Sequence, residues 1–218
     1  MKTKSLFGFC LALFILFGGP SVARAQELKP IQLPEPNMTG GKPLMEVLKE
    51  RHSSREFSTE KLPLPVLSDM LWAAFGINRP DVKKRTAPSA MDRQEVDIYV
   101  TTADGLYLYD TEACALQPIL KEDIRAKAGK QDFVAQAPVN LVYVADFAKM
   151  GDASDDDKKL YSAADVGFIA ENVYLFCASE GLATVVRGGI DRPALAKVMR
   201  LRPDQKIIVA QSVGYPKK

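Results

Sequence analysis

The chain has 218 residues, 47% of them apolar and 26% charged, with a formal net charge of +2. That length and apolar content suit one domain with a substantial core, and so small a charge excludes the strongly basic surface of a general nucleic-acid or anionic-membrane binder. A single histidine and three cysteines, none at zinc-ligand spacing, argue against a metal centre.

Residues 1–25 are organised as a secretory signal peptide: Lys2 and Lys4, an apolar run from Leu6 to Phe17, and the small-residue site Ala23-Arg24-Ala25. The run is too short to span a membrane. The expectation is therefore an exported protein, periplasmic or secreted, that starts at Gln26 and keeps no membrane span after cleavage. Loss of Lys2, Lys4 and Arg24 takes the net charge to about −1, so any cationic site must be local. Residues 26–42 contain Pro30, Pro34, Pro36 and Gly40-Gly41 and read as an extended arm. Residues 43–218 then form one domain.

Within that domain, Leu44, Val47 and Leu48 have helical spacing that ends near Arg51, and Pro63 and Pro65 introduce a second helix that stops at Gly76. "EVDIYVTTADGLYLYD" alternates as two strands around an Ala-Asp-Gly turn. Short helices are expected over 121–136, a buried strand over 139–146, and a charged loop at "GDASDDDKK". That loop places Asp157 where a calcium loop needs glycine and Ala163 where it needs glutamate, so it reads as a solvated connection. Residues 159–181 are apolar on nearly every side and predict a helix buried all round, by its own domain or by a partner subunit. A strand at "ATVVRG", a helix over 191–199 and a last strand at "KIIVAQSVGYP" complete an α+β order, a sheet with helices packed around it. Cys114 and Cys177 remain after cleavage; export permits a disulfide, and a reduced core cysteine at Cys177 is the other reading.

The chain lacks a G-x-S-x-G elbow, a P-loop and a G-x-G-x-x-G turn, which removes the motif-based case for a serine hydrolase, a nucleotide triphosphatase or a Rossmann dinucleotide site. Three clusters remain. "RHSSREF" at 51–57 gathers Arg51, His52, Ser53, Ser54 and Arg55 at a helix end, enough donors to hold one phosphate; alone it could equally be a solvated basic end complementing the helix dipole. "RTAPSAMDRQEV" sets small residues, Pro88, Ser89 and Ala90, before the hairpin, where backbone could approach a planar ligand. "GLATVVRGGID" exposes Gly188 and Gly189 amides at a strand end; alone, this cluster and the one before it could each be an ordinary turn.

These clusters, with "MLWAAFGINR", "AENVYLFCASEGLAT" and the closing "QSVGYP", resemble the nitroreductase family of FMN-dependent oxidoreductases over residues 43–216, most closely its SagB-type dehydrogenase branch. The resemblance implies a nitroreductase-like fold, with a central, mostly antiparallel sheet surrounded by helices, in a domain-entwined homodimer with two FMN sites. It implies that Arg51, His52 and Ser53 hold the FMN phosphate and ribityl chain and that Arg55 lies beside the pyrimidine edge. Pro88, Ser89 and Ala90 would line the ring, Asp92 and Gln94 would face ring and ribityl groups, and the Arg187-Gly188-Gly189 turn would point backbone N–H at flavin N5. Many relatives carry a further basic residue that closes over the phosphate; here Lys217 or Lys218 could take that place, or the end of the chain could stay frayed. Asp92 stands where many relatives have asparagine. The activity implied is hydride transfer between a donor, NADH or NADPH among the options, and a small organic acceptor, with no protein residue central to the chemistry. The alternative is a non-catalytic binder of flavin or of another phosphorylated ligand that kept the fold.

Overall fold

The computed structural model describes residues 29–218; the expected signal peptide lies outside the described residues. Seven strands form one antiparallel sheet in the order β1-β6-β5-β4-β7-β9-β8. They are β1 (Ile31–Gln32), β4 (Val96–Thr102), β5 (Gly105–Asp110), β6 (Ala115–Leu120), β7 (Val139–Asp146), β8 (Ala183–Arg187) and β9 (Gln205–Gly214); β2 (Ile77–Arg79) and β3 (Lys84–Arg85) form a separate two-stranded ribbon. The interior strand β7 is buried at every residue, in keeping with its largely apolar sequence. The β4–β5 hairpin forms where it is expected and closes through Ala103 and Asp104, with Thr102 opposite Gly105.

Helices α1 (Leu44–Glu50), α2 (Leu64–Phe75), α3 (Asp155–Glu180) and α4 (Arg192–Met199) complete the fold. α2 and α3 pack on one sheet face through Leu71, Ala74, Ile169, Val173 and Cys177 against Val100, Leu141 and Tyr143. α4 and the 3-10 turns at Arg125–Ala128 and Asp132–Val134 cover the other, around Leu106, Val142, Val144 and Leu195. Between these cores the sheet carries a short polar seam, Asn140, Arg187, Gln211 and Ser212, all buried.

Several sequence expectations change. The segment expected as short helices over 121–136 contains only those 3-10 turns. The charged loop gives way to helix from Asp155: Ser154 caps α3 by accepting from the Asp157 N–H, and Asp155, Asp156 and Asp157 lie in its first turn, where acids complement the positive end of the helix dipole. α3 is also not buried all round within one chain. Its buried face runs Ser162, Asp165, Val166, Ile169, Ala170, Val173, Tyr174 and Cys177, while Leu160 and Phe168 are 63% and 48% exposed. The arm docks: Leu33 inserts into the core, and the Ser68 hydroxyl donates to the Pro34 carbonyl at 2.6 Å. Cys114 and Cys177 are both free thiols, so the disulfide option is not taken. Among the described residues no helix is long and apolar enough to cross a membrane, and no group of three or more His, Cys, Asp or Glu could hold a metal ion.

Candidate functional site

RHSSREF leaves α1 as an extended segment and is bound to the rest of the fold at both ends. Ser54 N–H donates to the Thr184 carbonyl of β8 at 2.9 Å. Phe57 bridges to Pro216, Ser58 N–H donates to the Tyr215 carbonyl at 2.9 Å, and Lys217 N–H reaches the Glu56 carbonyl at 3.4 Å. The segment is therefore threaded between the start of β8 and the chain's C-terminus, which brings Lys217 beside Arg55 and Glu56.

A tyrosine from α3 completes the clamp. Tyr174 hydroxyl lies 2.8 Å from Ser53 Oγ and accepts the Val186 N–H of β8 at 2.9 Å, and the Arg51 guanidinium stands 5.2 Å from the Tyr174 ring centroid. That stacking holds Arg51 at low entropic cost without using its donors. His52 Nδ1 is 2.7 Å from the Glu50 carbonyl, which can only accept; Nδ1 therefore carries the proton and Nε2 is left to a ligand. Arg55 is exposed. Arg51 and Arg55 make a local cationic surface on a chain with little net charge.

β8 then runs from Thr184 directly into the glycine turn. Neither the Gly188 nor the Gly189 N–H finds a protein acceptor among the described residues, and a Cβ placed at Gly188 would meet open space. Two outward amides beside a basic segment make an acceptor-binding corner. The third side of the corner is Gln131. Lys130 N–H donates to the Gly189 carbonyl at 2.9 Å, and a Cβ at Gly189 would come within 2.8 Å of Gln131 Nε2.

The Arg187 side chain turns the other way. It is 5% exposed and donates to Ser212 Oγ at 3.1 Å, Asn140 Oδ1 at 2.6 Å and the Ala128 carbonyl. It therefore serves the corner from behind rather than as a ligand contact.

The 88–94 segment is not brought to this corner within one chain. Ala90 N–H donates to Asp165 Oδ2 at 2.8 Å, nine residues before Tyr174 on α3, which is about 13 Å along the helix. Ser89 Oγ donates to Glu95 at 3.2 Å and accepts from the Gln94 N–H at 2.8 Å. Asp92 pairs with Lys84 at 2.5 Å, and Gln94 bonds Arg85, Asp92 and the Lys83 carbonyl, so both polar side chains serve the β2–β3 ribbon. Met91, Asp92 and Gln94 hold positive φ of 55°, 57° and 47°, a costly backbone that these bonds maintain. Pro88 is exposed at the edge of this turn. Glu95, fully buried, accepts from Ser89 Oγ; burial first, then the negative charge of nearby Asp165, pushes its carboxyl above its ordinary value of 4.5.

Residues 48–215 match the family model described as the nitroreductase family. The chain belongs to that family. A nitroreductase candidate from Methanocaldococcus jannaschii is 32% identical over 169 residues, covering 73% of this chain and 85% of the relative. The crystal structure of a nitroreductase candidate from Ralstonia eutropha superposes with a TM-score of 0.83 at 44% identity, over 87% of this chain and 90% of that one. The NADPH:FMN oxidoreductase of Vibrio harveyi, solved with NAD+, shares the fold at a TM-score of 0.61 and 22% identity, over 80% of this chain and 69% of that one. The α+β, nitroreductase-like architecture expected from sequence is thus shown, and the protein is a nitroreductase-family oxidoreductase.

Three features of the candidate site escape a reading of the sequence. Gln131 reaches Gly189 only through the pairing of Lys130 with the glycine turn, and no local pattern announces it. Tyr174 lay within a quoted motif but reads as one more apolar helix position. Asp165, an acid on the buried face of α3, was the one legible signal, because a buried carboxylate needs a partner.

Proposed function

We propose that the protein is an exported FMN-dependent oxidoreductase that passes hydride between an electron donor, NADH or NADPH among the candidates, and a small organic acceptor. The observation that carries this reading is the pair of outward Gly188 and Gly189 amides set beside RHSSREF, a combination that fits a planar ring with a phosphate tail. Arg51 and Ser53 would take the phosphate, with His52 and Lys217 beside them; Arg55 and Gln131 would border the ring. The flavin supplies the hydride chemistry, and this chain binds it, orients it and sets its charge environment.

A homodimer is part of the proposal. On one chain the corner is a surface site, and cavities of about 540, 480 and 450 Å³ elsewhere on it are lined by neither RHSSREF nor Gly188-Gly189. Exposed apolar residues flank it on two elements, Leu44, Met45 and Leu48 on α1 and Leu160 and Phe168 on α3. A second copy across α3 would cover them and bring the 88–92 turn of one chain toward the corner of the other.

The test is absorbance. Protein purified from its exported compartment, or titrated with FMN, is expected to show a bound-flavin spectrum that bleaches with a nicotinamide donor or dithionite and returns with a quinone. Protein whose spectrum is indifferent to FMN would sink the proposal; flavin that binds but resists reduction and reoxidation would leave a binding protein.

A further inference from the structure

Arg187 is an unusual residue to find inside a fold. A buried ion costs several kcal/mol unless a counter-charge and full hydrogen bonding offset it. Arg187 has the hydrogen bonds but no counter-charge: its acceptors, Ser212 Oγ, Asn140 Oδ1 and the Ala128 carbonyl, are all neutral. No carboxylate lies within ion-pair reach of it among the described residues, and burial is the sole influence on its pKa. Burial pulls that pKa down to about 10, so the guanidinium is still charged at neutral pH. If the seam needed only packing, an apolar or amide side chain would serve without the desolvation cost.

Its position suggests what the charge is for. Arg187 immediately precedes the glycine turn. The Ala128 carbonyl it holds begins the Ala128–Gln131 stretch that borders Gly189, and a Cβ on Gly129 would overlap the guanidinium. The cation therefore sits directly behind two walls of the corner, the glycine turn and the 128–131 stretch. A charge in this dry seam is screened far less by water and salt than the exposed Arg55.

Building on the FMN reading above, we propose that Arg187 is the internal counter-charge for reduced flavin. Uptake of two electrons and one proton, together as hydride from a nicotinamide donor or as electrons from dithionite with a proton from water, leaves a bound ring with one net negative charge. Arg187 stabilises that charged state over the neutral oxidised one without touching it, and so raises the reduction potential of the site. It is a positioning and electrostatic residue, not a catalytic one.

The decisive variant leaves Arg187 in place and neutralises it. Asn140→Asp puts a carboxylate oxygen at the atom now 2.6 Å from the guanidinium and gives up the 3.0 Å bond from Asn140 Nδ2 to the Val134 carbonyl, so Asn140→Leu, which loses the same bond without adding charge, is its control. Two-electron potentials of the FMN-loaded proteins, measured by equilibration with reference dyes, are compared with their affinities for oxidised FMN. Asn140→Asp is expected to weaken the preference for reduced over oxidised FMN about tenfold, which is ~30 mV for a two-electron couple. Affinity for oxidised FMN should stay within about threefold of wild type. Arg187→Met should shift the potential the same way, Arg187→Lys should keep it near wild type, and high salt should not erase the difference. If Arg187→Met does not fold, Asn140→Asp decides alone. FMN bound at an unchanged potential in Asn140→Asp overturns the inference and leaves the FMN reading standing; failure of the wild type to bind FMN overturns both.

Discussion

Removing one oxygen atom, in Tyr174→Phe, tests whether the candidate site is built as described. The ring is kept, so the packing under Arg51 at 5.2 Å from its centroid survives. Two hydrogen bonds are lost. Val186 N–H, on the outer edge of β8, loses its acceptor at 2.9 Å and becomes an unsatisfied, part-buried donor, at a cost of about 1–3 kcal/mol. Ser53 Oγ loses its 2.8 Å partner but can turn to water, which adds only about 0.5 kcal/mol. A total of about 2 kcal/mol in a domain of this size lowers the melting temperature by roughly 4–8 °C. Because Ser53 and the β8 edge are released together, FMN affinity should fall about tenfold, near 1.4 kcal/mol. Thermal unfolding of the apoprotein and fluorescence titration with FMN read the two effects separately. A variant that melts with the wild type and binds FMN equally well would refute the clamp and, with it, the placement of Ser53 in the site.

Glu95→Gln should flatten part of the pH dependence of stability. The folded Glu95 carboxyl holds its proton above the ordinary 4.5 of the unfolded chain, so wild-type stability falls as pH rises through that interval, and urea unfolding across it should show the variant gaining on wild type toward neutral pH. Gly189→Ala separates site from fold: its Cβ meets only the movable end of Gln131, so melting should change by less than about 3 °C while FMN affinity drops at least about tenfold. Phe168→Asp places a charge on the exposed stripe of α3 and should turn a dimer into a monomer with weakened FMN binding, checked by sedimentation with and without FMN. A thiol reagent should modify Cys114 in the native protein and reach Cys177 only after unfolding, because burial removes access and pushes the Cys177 thiol up; reductant should leave the melting temperature unchanged.

What could be read from the sequence was local or periodic. The hairpin around Ala103 and Asp104, the buried strand at 139–146 and the end of α1 at Arg51 are written in alternation, apolar run and helical spacing. β6 was missed because "ALQPIL" neither alternates cleanly nor avoids proline: Pro118 sits within it, opposite Tyr107, beside a register shift. The start of α3 was misread because three consecutive aspartates look like a solvated loop, although Ser154 and those acids are what a helix N-terminus favours. The site divides along the same line. RHSSREF, the glycine turn and the 88–94 turn were visible as clusters, but the contacts that make them a site join residues far apart in the chain, Ser53 to Tyr174 and Ala90 to Asp165. Arg187 shows the limit most clearly: placed in the turn by its motif, it could not be seen from sequence to point inward.

The positions of the clamps on α3 explain why one chain holds the parts of the site without assembling them. Tyr174 fixes the RHSSREF segment near the helix's C-terminal end, and Asp165 fixes the strained 88–92 turn about 13 Å away. Both residues belong to the buried face, whereas Leu160 and Phe168 lie on the exposed one. A two-fold axis crossing that exposed stripe would reverse the helix direction, setting Asp165 of one copy toward Tyr174 of the other. The turn held by the first would then face the corner held by the second. Under this arrangement the backbone strain at Met91, Asp92 and Gln94 has a use, since it shapes a surface that one subunit offers to the flavin of its neighbour. The dimer and the cofactor thus become linked proposals: covering α3 buries apolar surface and closes two flavin sites in the same step, so loss of one should weaken the other.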